Sequence, residues 1–191
     1  MGAFLFTLTI GILWLLGYYQ VTGTNALSVL TQALMIGIVS GFIEEVIFRG
    51  ILYRISEEAL GTWLALLISA TFFGFAHGFN PGATLFSSVA IALEAGLLLG
   101  AMYTLTRRLW VSIGTHFAWN FTQGGIFGVT VSGNSMSGLL QSQLRGPELL
   151  SGGAFGAEAS IIALLVCLAA FGFILLRIEQ QGKRLAPMWR R

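Results

Sequence analysis

Apolar residues run through most of the chain in long segments that only short polar turns interrupt. A helix crosses a bilayer when about 20 consecutive residues are mainly apolar. On this criterion the pattern predicts six membrane-spanning helices, at residues 3–19, 26 to beyond 48, 62–77, 84–105, 109–127 and 158–176. Because a span must satisfy its backbone hydrogen bonds internally, we predict an all-α fold, a polytopic membrane helix bundle that forms one domain over residues 1–191.

Connections and small residues add local predictions. The sequence Gly-Phe-Asn-Pro-Gly at 78–82 predicts a tight turn, because Asn, Pro and Gly favour turn geometry. Residues 128–157 are rich in Gly and Ser, and a connection of this length is typical of a lid or a disordered segment. Small residues four apart, at Gly37/Gly41 and Gly96/Gly100, predict helices that approach each other closely.

Composition points to the membrane as well. The 191 residues are 55% hydrophobic and 9% charged, with a mean hydropathy of +0.82, whereas soluble domains are about one-quarter charged. The formal net charge is only +2, which argues against a nucleic-acid partner. The single cysteine, Cys167, excludes an intrachain disulfide and a cysteine-rich metal site.

Basic residues are divided unevenly between the predicted sides of the membrane. With the N-terminus inside, the outer segments carry only Arg145. The inner segments carry the other nine, namely Arg49, Arg54, Arg107, Arg108, Arg177, Lys183, Arg184, Arg190 and Arg191. The positive-inside rule therefore predicts cytoplasmic N- and C-termini and a basic cytoplasmic tail at 177–191. We expect a multi-pass integral membrane protein of a bacterial or archaeal cell membrane, surrounded by membrane lipid.

Other charged residues near the predicted inner face have a simpler expected role. Glu57 and Glu58 are expected in a solvated cytoplasmic turn. Arg107 and Arg108 are expected to face lipid headgroups and to set the topology.

Ionisable residues inside the predicted spans suggest function, because burying them in a membrane is costly. They fall in four places: the run Glu44-Glu45-Val-Ile-Phe-Arg49, His77, Glu94, and the run His116-Phe-Ala-Trp-Asn120. Residues four apart share a helix face, so Glu45 pairs with Arg49, and His116 lies beside Asn120. Glu44 points about 100° away from Glu45.

The predicted depth in the membrane brings four of these residues to a common level. At about 1.5 Å per residue, Glu44, His77, His116 and Asn120 reach similar depths on three different helices. Glu94 has no charged residue four positions away. We therefore expect Glu94 to serve packing, a water contact or an interfacial position rather than catalysis.

The three motifs together resemble a known family. Glu-Glu-x-x-x-Arg, Phe-x-x-x-His and His-x-x-x-Asn follow in this order on separate hydrophobic segments, within about residues 37–121. This arrangement resembles the CPBP intramembrane proteases, the family of type II CAAX prenyl endopeptidases, also called Abi proteins. The resemblance implies that Glu44 is a general base that works with His77 on a water molecule. It implies that His116 and Asn120 donate to an oxyanion, and that Glu45 and Arg49 orient the site.

The expected function is that of an intramembrane endopeptidase that acts without a metal or other cofactor on membrane-associated peptides or protein tails. By the resemblance alone, a prenylated tail is one such substrate. The alternative mechanism uses zinc held by Glu44, His77 and His116, with water as the fourth ligand. Alternative functions are a non-catalytic scaffold or bacteriocin-immunity protein, and a small transporter, because intramembrane Glu and His also mark ion pathways.

Overall fold

The computed structural model describes residues 1–190, so Arg191 of the predicted basic tail lies outside the described residues. The fold is mainly α-helical. The α-helices are α1 (Gly2–Leu15), α2 (Val29–Glu45), α3 (Arg54–Leu60), α4 (Thr62–His77), α5 (Leu85–Ile91), α6 (Leu97–Thr106), α7 (Leu109–Asn120), α8 (Glu148–Ser151) and α9 (Ile161–Gln180). Two short strands, β1 (Tyr19–Thr24) and β2 (Leu140–Leu144), form an antiparallel pair.

Segments of π-helix continue several of these helices. Val46–Tyr53 joins α2 to α3, Ala92–Gly96 joins α5 to α6, and Phe121–Ile126 extends α7. Short 3₁₀ turns lie at Ala157–Ala159 and Met188–Arg190. The helical runs therefore extend over residues 29–60, 85–106 and 109–126.

The predicted spans correspond to helical segments with shifted ends. The span at 62–77 coincides with α4, and the span at 84–105 corresponds to the run 85–106. Two helices of the described residues, Leu85–Thr106 and Ile161–Gln180, are long and apolar enough to cross a membrane, and Gly2–Leu15 and Thr62–His77 are shorter apolar helices. The all-α class is confirmed, while the number of six spans and the orientation of the termini stay predictions.

The predicted end of the first span, at residue 19, is wrong. Helix α1 ends at Leu15, because Gly17 adopts a left-handed φ of 79°. The amide of Tyr18 donates to the carbonyl of Leu13, and the amide of Gly17 donates to that of Trp14, which is the Schellman pattern of a helix C-terminus. Tyr19 therefore begins β1 rather than ending a helix.

The long connection after α7 contains regular structure, so it is not the disordered segment that was one of its two predicted forms. It contributes β2, α8 and a 3₁₀ turn. Val129, Val131 and Phe155 of this connection are buried. The shorter predicted turn is confirmed: the amide of Asn80 donates to the carbonyl of His77, and that of Ala83 to the carbonyl of Asn80.

Two expectations about charged residues are wrong. Glu57 is only 1% exposed rather than solvated, because Arg107, Tyr53 and Thr62 all donate hydrogen bonds to its carboxylate. Arg107, which is expected to face lipid headgroups, instead forms an ion pair with the buried carboxylate of Glu57.

Close packing brings the site-bearing helices together. A Cβ at Gly41 would lie 3.0 Å from the backbone nitrogen of Phe117, so α2 approaches the backbone of α7. A Cβ at Gly96 would lie 2.8 Å from Cα of Ala70, so the second π segment approaches α4 equally closely. These contacts confirm the close packing that the spaced glycines predict, and they bring α2, α4 and α7 around one site.

Candidate active site

The site lies where the C-terminal ends of α2 and α4 meet the last two turns of α7. Oε2 of Glu44 lies 3.7 Å from Nε2 of His77 and 4.0 Å from Nε2 of His116. Both imidazoles are more than nine-tenths buried, while the Glu44 side chain is 29% exposed. The structure thus brings one carboxylate and two imidazole nitrogens, from three separate helices, to a common point.

The hydrogen bond of His77 determines which of its nitrogens faces Glu44. Nδ1 of His77 lies 2.8 Å from the carbonyl oxygen of Phe73, one turn earlier in α4. A carbonyl only accepts, so Nδ1 carries the proton and donates it to this bond. Nε2 of a neutral imidazole is then an acceptor that faces the carboxylate of Glu44.

A buried ion pair orients His116. Nδ1 of His116 lies 2.9 Å from Oε1 of Glu45 and donates to it, because a carboxylate accepts. The same oxygen accepts from Nη1 of Arg49 at 2.6 Å, which is the ion pair that the four-residue spacing predicts. Glu45 and Arg49 are both fully buried, and Oε2 of Glu45 and Nε of Arg49 have no hydrogen-bond partner among the described residues.

Arg49 also ties the second π segment to the site. Its Nη2 donates to the carbonyl oxygens of Ala95 and Gly96, at 2.9 and 3.1 Å. Its Cζ lies 4.4 Å from the centre of the Phe73 ring, a cation–π distance. Arg49 therefore connects α2, α4 and the segment that carries Glu94.

Asn120 is held by a residue that the motifs did not identify. Its Nδ2 donates to Oγ of Ser40 at 3.0 Å. Ser40 lies one helical turn before Glu44 on α2, and this spacing is the sequence signal that points to it. The second N–H of the Asn120 amide remains available for another acceptor.

Each of the three π segments within residues 1–190 adjoins a polar group of this region. One begins directly after Glu45, one contains Glu94, and one begins directly after Asn120. Such bulges are frequent at functional sites, because they redirect side chains that a regular helix would place elsewhere. Their positions therefore single out Glu94 together with the motif residues.

Two spaces of different character border the site. A small, partly open chamber of about 40 Å³ is lined by His77, His116 and Asn120, with Glu94 among its other wall residues. An open apolar groove of about 490 Å³ runs along α2 and ends at Ser40 and Glu44, and its other lining residues are Met35, Ile36, Val39 and Ile43. The candidate catalytic groups lie between the two spaces.

The zinc alternative depends on Glu44, His77 and His116. No group of three or more His, Cys, Asp or Glu side chains among residues 1–190 is arranged to hold a metal ion. The three side chains nevertheless converge, with Glu44 as the shared neighbour of both histidines. Metal dependence therefore stays a matter for direct measurement.

Comparison with known families identifies the group to which these motifs belong. A family model described as Type II CAAX prenyl endopeptidase Rce1-like matches residues 26–122, just over half of the chain. The chain belongs to this family. The matched region of the Rce1-like family contains Glu44, His77, His116 and Asn120, as well as Glu94. The long connection after α7 and helix α9 lie outside it.

A curated relative gives the same assignment. The chain is 29% identical over 118 residues to "Putative membrane peptidase YdiL" of Bacillus subtilis (strain 168). The alignment covers 62% of this chain and 44% of the relative, so the chain spans less than half of that protein's length. No solved structure matches the chain significantly. The family, the relative and the apolar helices agree on a membrane protein.

Proposed function

We propose that this Rce1-like protein is an intramembrane endopeptidase that hydrolyses peptide bonds in membrane-associated peptides or the tails of membrane proteins. The observation that carries the proposal is the convergence of the Glu44 carboxylate with Nε2 of His77 and Nε2 of His116. Peptide hydrolysis needs a base that holds a water molecule and donors for the developing oxyanion. This cluster supplies both kinds of group.

Glu44 and His77 activate the water in this proposal. Their 3.7 Å separation exceeds a direct hydrogen bond and suits a water molecule that contacts both groups. The Nδ1–H of His77 is already donated to Phe73, so its Nε2 is free to accept a hydrogen bond from the water while Glu44 takes the proton. Glu44 is the general base, because its partly exposed carboxylate faces both the groove and the imidazoles.

His116 and Asn120 stabilise the oxyanion. The Nδ1–H of His116 donates to Glu45, and in this proposal both ring nitrogens carry a proton, so that Nε2 also donates. Asn120 donates its second N–H while Ser40 holds the first. Two donors fixed on one helix face need little reorganisation as negative charge grows on the substrate carbonyl.

Glu45 and Arg49 orient the site without contacting the substrate. Arg49 neutralises Glu45, so Glu44 is the only carboxylate of the pair that is left without a direct partner for the reaction. The bonds from Arg49 to Ala95 and Gly96 fix α2 relative to the neighbouring helix.

The apolar groove that ends at Glu44 supports a membrane-associated substrate. We place its entry on the cytoplasmic side, with both termini of this multi-pass chain in the cytoplasm. A prenylated tail is the narrower substrate expectation that the family description suggests. The proposed reaction needs no metal. Loss of activity on chelation, together with stoichiometric zinc in the purified protein, would replace it by the zinc mechanism.

The test compares membranes that contain the wild type with membranes that contain Glu44→Gln, by mass spectrometry of newly formed peptide termini. We expect new termini in the wild type and none in Glu44→Gln. The matched control is Glu58→Gln, which removes an exposed carboxylate that lies 3.7 Å from exposed Arg54 and should leave the termini unchanged. Identical termini in all samples, with folded and abundant protein, would favour the scaffold or immunity function.

A further inference from the structure

Glu94 is a buried acid that the proposed chemistry does not use. It is 1% exposed and lies in the π segment Ala92–Gly96. Neither oxygen of its carboxyl group has a hydrogen-bond partner among the described residues. Burying a polar group without a partner is unfavourable, so the presence of Glu94 calls for a ligand that satisfies it.

A second buried acid lines the same chamber. Glu158 is 3% exposed, and the backbone amide of Ser132 donates to its Oε1. It belongs to the 3₁₀ turn that precedes α9 and lines the chamber from a segment that is distant from Glu94 in the sequence. Two carboxyl groups that face one small space repel each other when both are ionised. Molecules that both donate and accept hydrogen bonds would relieve this repulsion.

The size and lining of the chamber suit water. A volume of about 40 Å³ has room for roughly three water molecules. A buried water needs two to four polar partners, and the walls offer Glu94, Glu158, His116 and Asn120. A bound metal ion is the less favoured occupant, because residues 1–190 contain no arranged set of three or more acidic, His or Cys ligands.

The chamber and the groove reach the site from different sides. His77 and His116 line the chamber, whereas Glu44 lines the groove. A substrate that lies in the apolar groove would cover Glu44 and exclude bulk water from that side. The hydrolytic water would then have to come from behind the histidines.

We propose that Glu94 and Glu158 hold a cluster of ordered water molecules in this chamber, and that the cluster supplies the hydrolytic water to Glu44. The water site stands on the chamber itself, and its role as a supply rests on the proposed hydrolase function. Glu94 is a positioning residue in this account, because it acts on the reaction through water.

The chain contains its own probe of this hydration. Cys167, the single cysteine, is buried and lines the chamber. Its S–H stretching band lies in a clear region of the infrared spectrum, and it moves when deuterium replaces the proton. In full-length protein in lipid bilayers transferred to D₂O, we expect this band to exchange much sooner than the backbone amides of central α9.

Comparison of Glu94→Met with Glu94→Gln distinguishes the effect of losing bound water from the effect of changing the side-chain volume. Methionine fills a similar space without hydrogen bonds, so exchange at Cys167 should slow severalfold and kcat should fall severalfold with little change in KM. Glutamine keeps a polar group, so both quantities should stay near the wild-type values. If Glu94→Met does not fold, the carboxyl C=O band that Glu94→Gln removes, and its shift in D₂O in the wild type, report on the same water.

Three outcomes would overturn the proposal. The first is a Cys167 band in the wild type that exchanges as slowly as central α9. The second is a folded Glu94→Met protein with wild-type exchange and wild-type kcat. The third is a carboxyl band that responds to added Na⁺ or Ca²⁺, which would make the chamber a cation site. Glu44→Gln keeps the two readouts separate. If the wild type forms no more new termini than Glu44→Gln, the hydrolase assignment fails, while fast exchange at Cys167 would still support the water site.

Discussion

Two glutamates on the helical run 29–60 have opposite surroundings. Glu57 is 1% exposed, and its carboxylate accepts hydrogen bonds from Tyr53, from Thr62 and from two nitrogens of Arg107. Glu44 is partly exposed, and its buried Oε2 has no direct hydrogen-bond partner and faces two imidazoles. The carboxylate of Glu57 is saturated with hydrogen-bond donors, whereas Oε2 of Glu44 has no direct donor.

This difference distinguishes Glu57, which stabilises the fold, from Glu44, for which we propose a role in the reaction. Partial burial works to lower the pKa of Arg107, but the hydrogen bonds and charge of Glu57 raise it overall, so Arg107 stays a cation. A carboxylate with several donors has little capacity to take up another proton. One that lacks a direct partner can hold water and accept a proton from it. We therefore expect substitutions at the two positions to affect different quantities.

The largest effect is expected at His77. His77→Ala removes the nitrogen that faces Glu44 and should lower the hydrolysis rate by about 10²–10⁴-fold, the usual contribution of a general acid–base group. Cleavage of a substrate identified from the new termini measures this rate. Partial recovery on addition of free imidazole would support the role, and a wild-type rate in folded His77→Ala would contradict it.

Loss of the buried ion pair should destabilise the fold. Glu45→Gln leaves Arg49 buried without its counter-charge and should lower the free energy of unfolding by about 3–5 kcal/mol. Thermal unfolding in detergent measures the change against Glu58→Gln, whose exposed pair should contribute little. An unchanged midpoint for Glu45→Gln would mean that the hydrogen bonds to the carbonyls of Ala95 and Gly96 are sufficient to stabilise buried Arg49, which would contradict the prediction.

A smaller change in stability is expected at the saturated carboxylate. Glu57→Gln removes the charge that Arg107 faces and should lower the free energy of unfolding by about 1–3 kcal/mol, because half-exposed Arg107 can be hydrated instead. Cleavage per folded molecule should stay at the wild-type level. A loss of cleavage without a loss of stability would contradict the structural role.

The smallest effect is expected at Ser40. Ser40→Ala removes the acceptor of Asn120 and should lower kcat roughly two- to tenfold, which corresponds to one hydrogen bond of about 0.5–1.5 kcal/mol. Ser40→Thr keeps the hydroxyl and should restore kcat. Ser69→Ala is the matched control, because it breaks a buried bond to the Phe48 carbonyl away from Asn120. Equal losses in Ser40→Ala and Ser69→Ala would contradict positioning of Asn120.

Helical spacing predicted much of the site. Residues four apart share a face, and the Glu45–Arg49 pair follows from that rule alone. The similar depth of Glu44, His77 and His116 follows from the lengths of their helices. The spacing did not indicate that His116 also bonds to Glu45, since that contact depends on how α7 packs on α2.

Helical spacing cannot predict contacts between residues that are far apart in the sequence. Strand β1 pairs with β2 more than 100 residues later, and the sequence of each strand does not indicate its partner. Glu57 was expected to be solvated, because the sequence does not indicate that Arg107 packs against it. The expectation for Glu94 was packing, a water contact or an interfacial position, and the sequence did not indicate that Glu94 shares a chamber with Glu158. Each depends on a partner that is distant in sequence.

The most direct test measures hydrolysis and thermal unfolding of Glu44→Gln and Glu57→Gln side by side in purified protein. The account predicts that Glu44→Gln unfolds at the wild-type temperature and does not cleave, whereas Glu57→Gln unfolds at a lower temperature and cleaves normally while folded. Cleavage by folded Glu44→Gln at the wild-type rate would contradict the claim that the unsaturated carboxylate performs the chemistry.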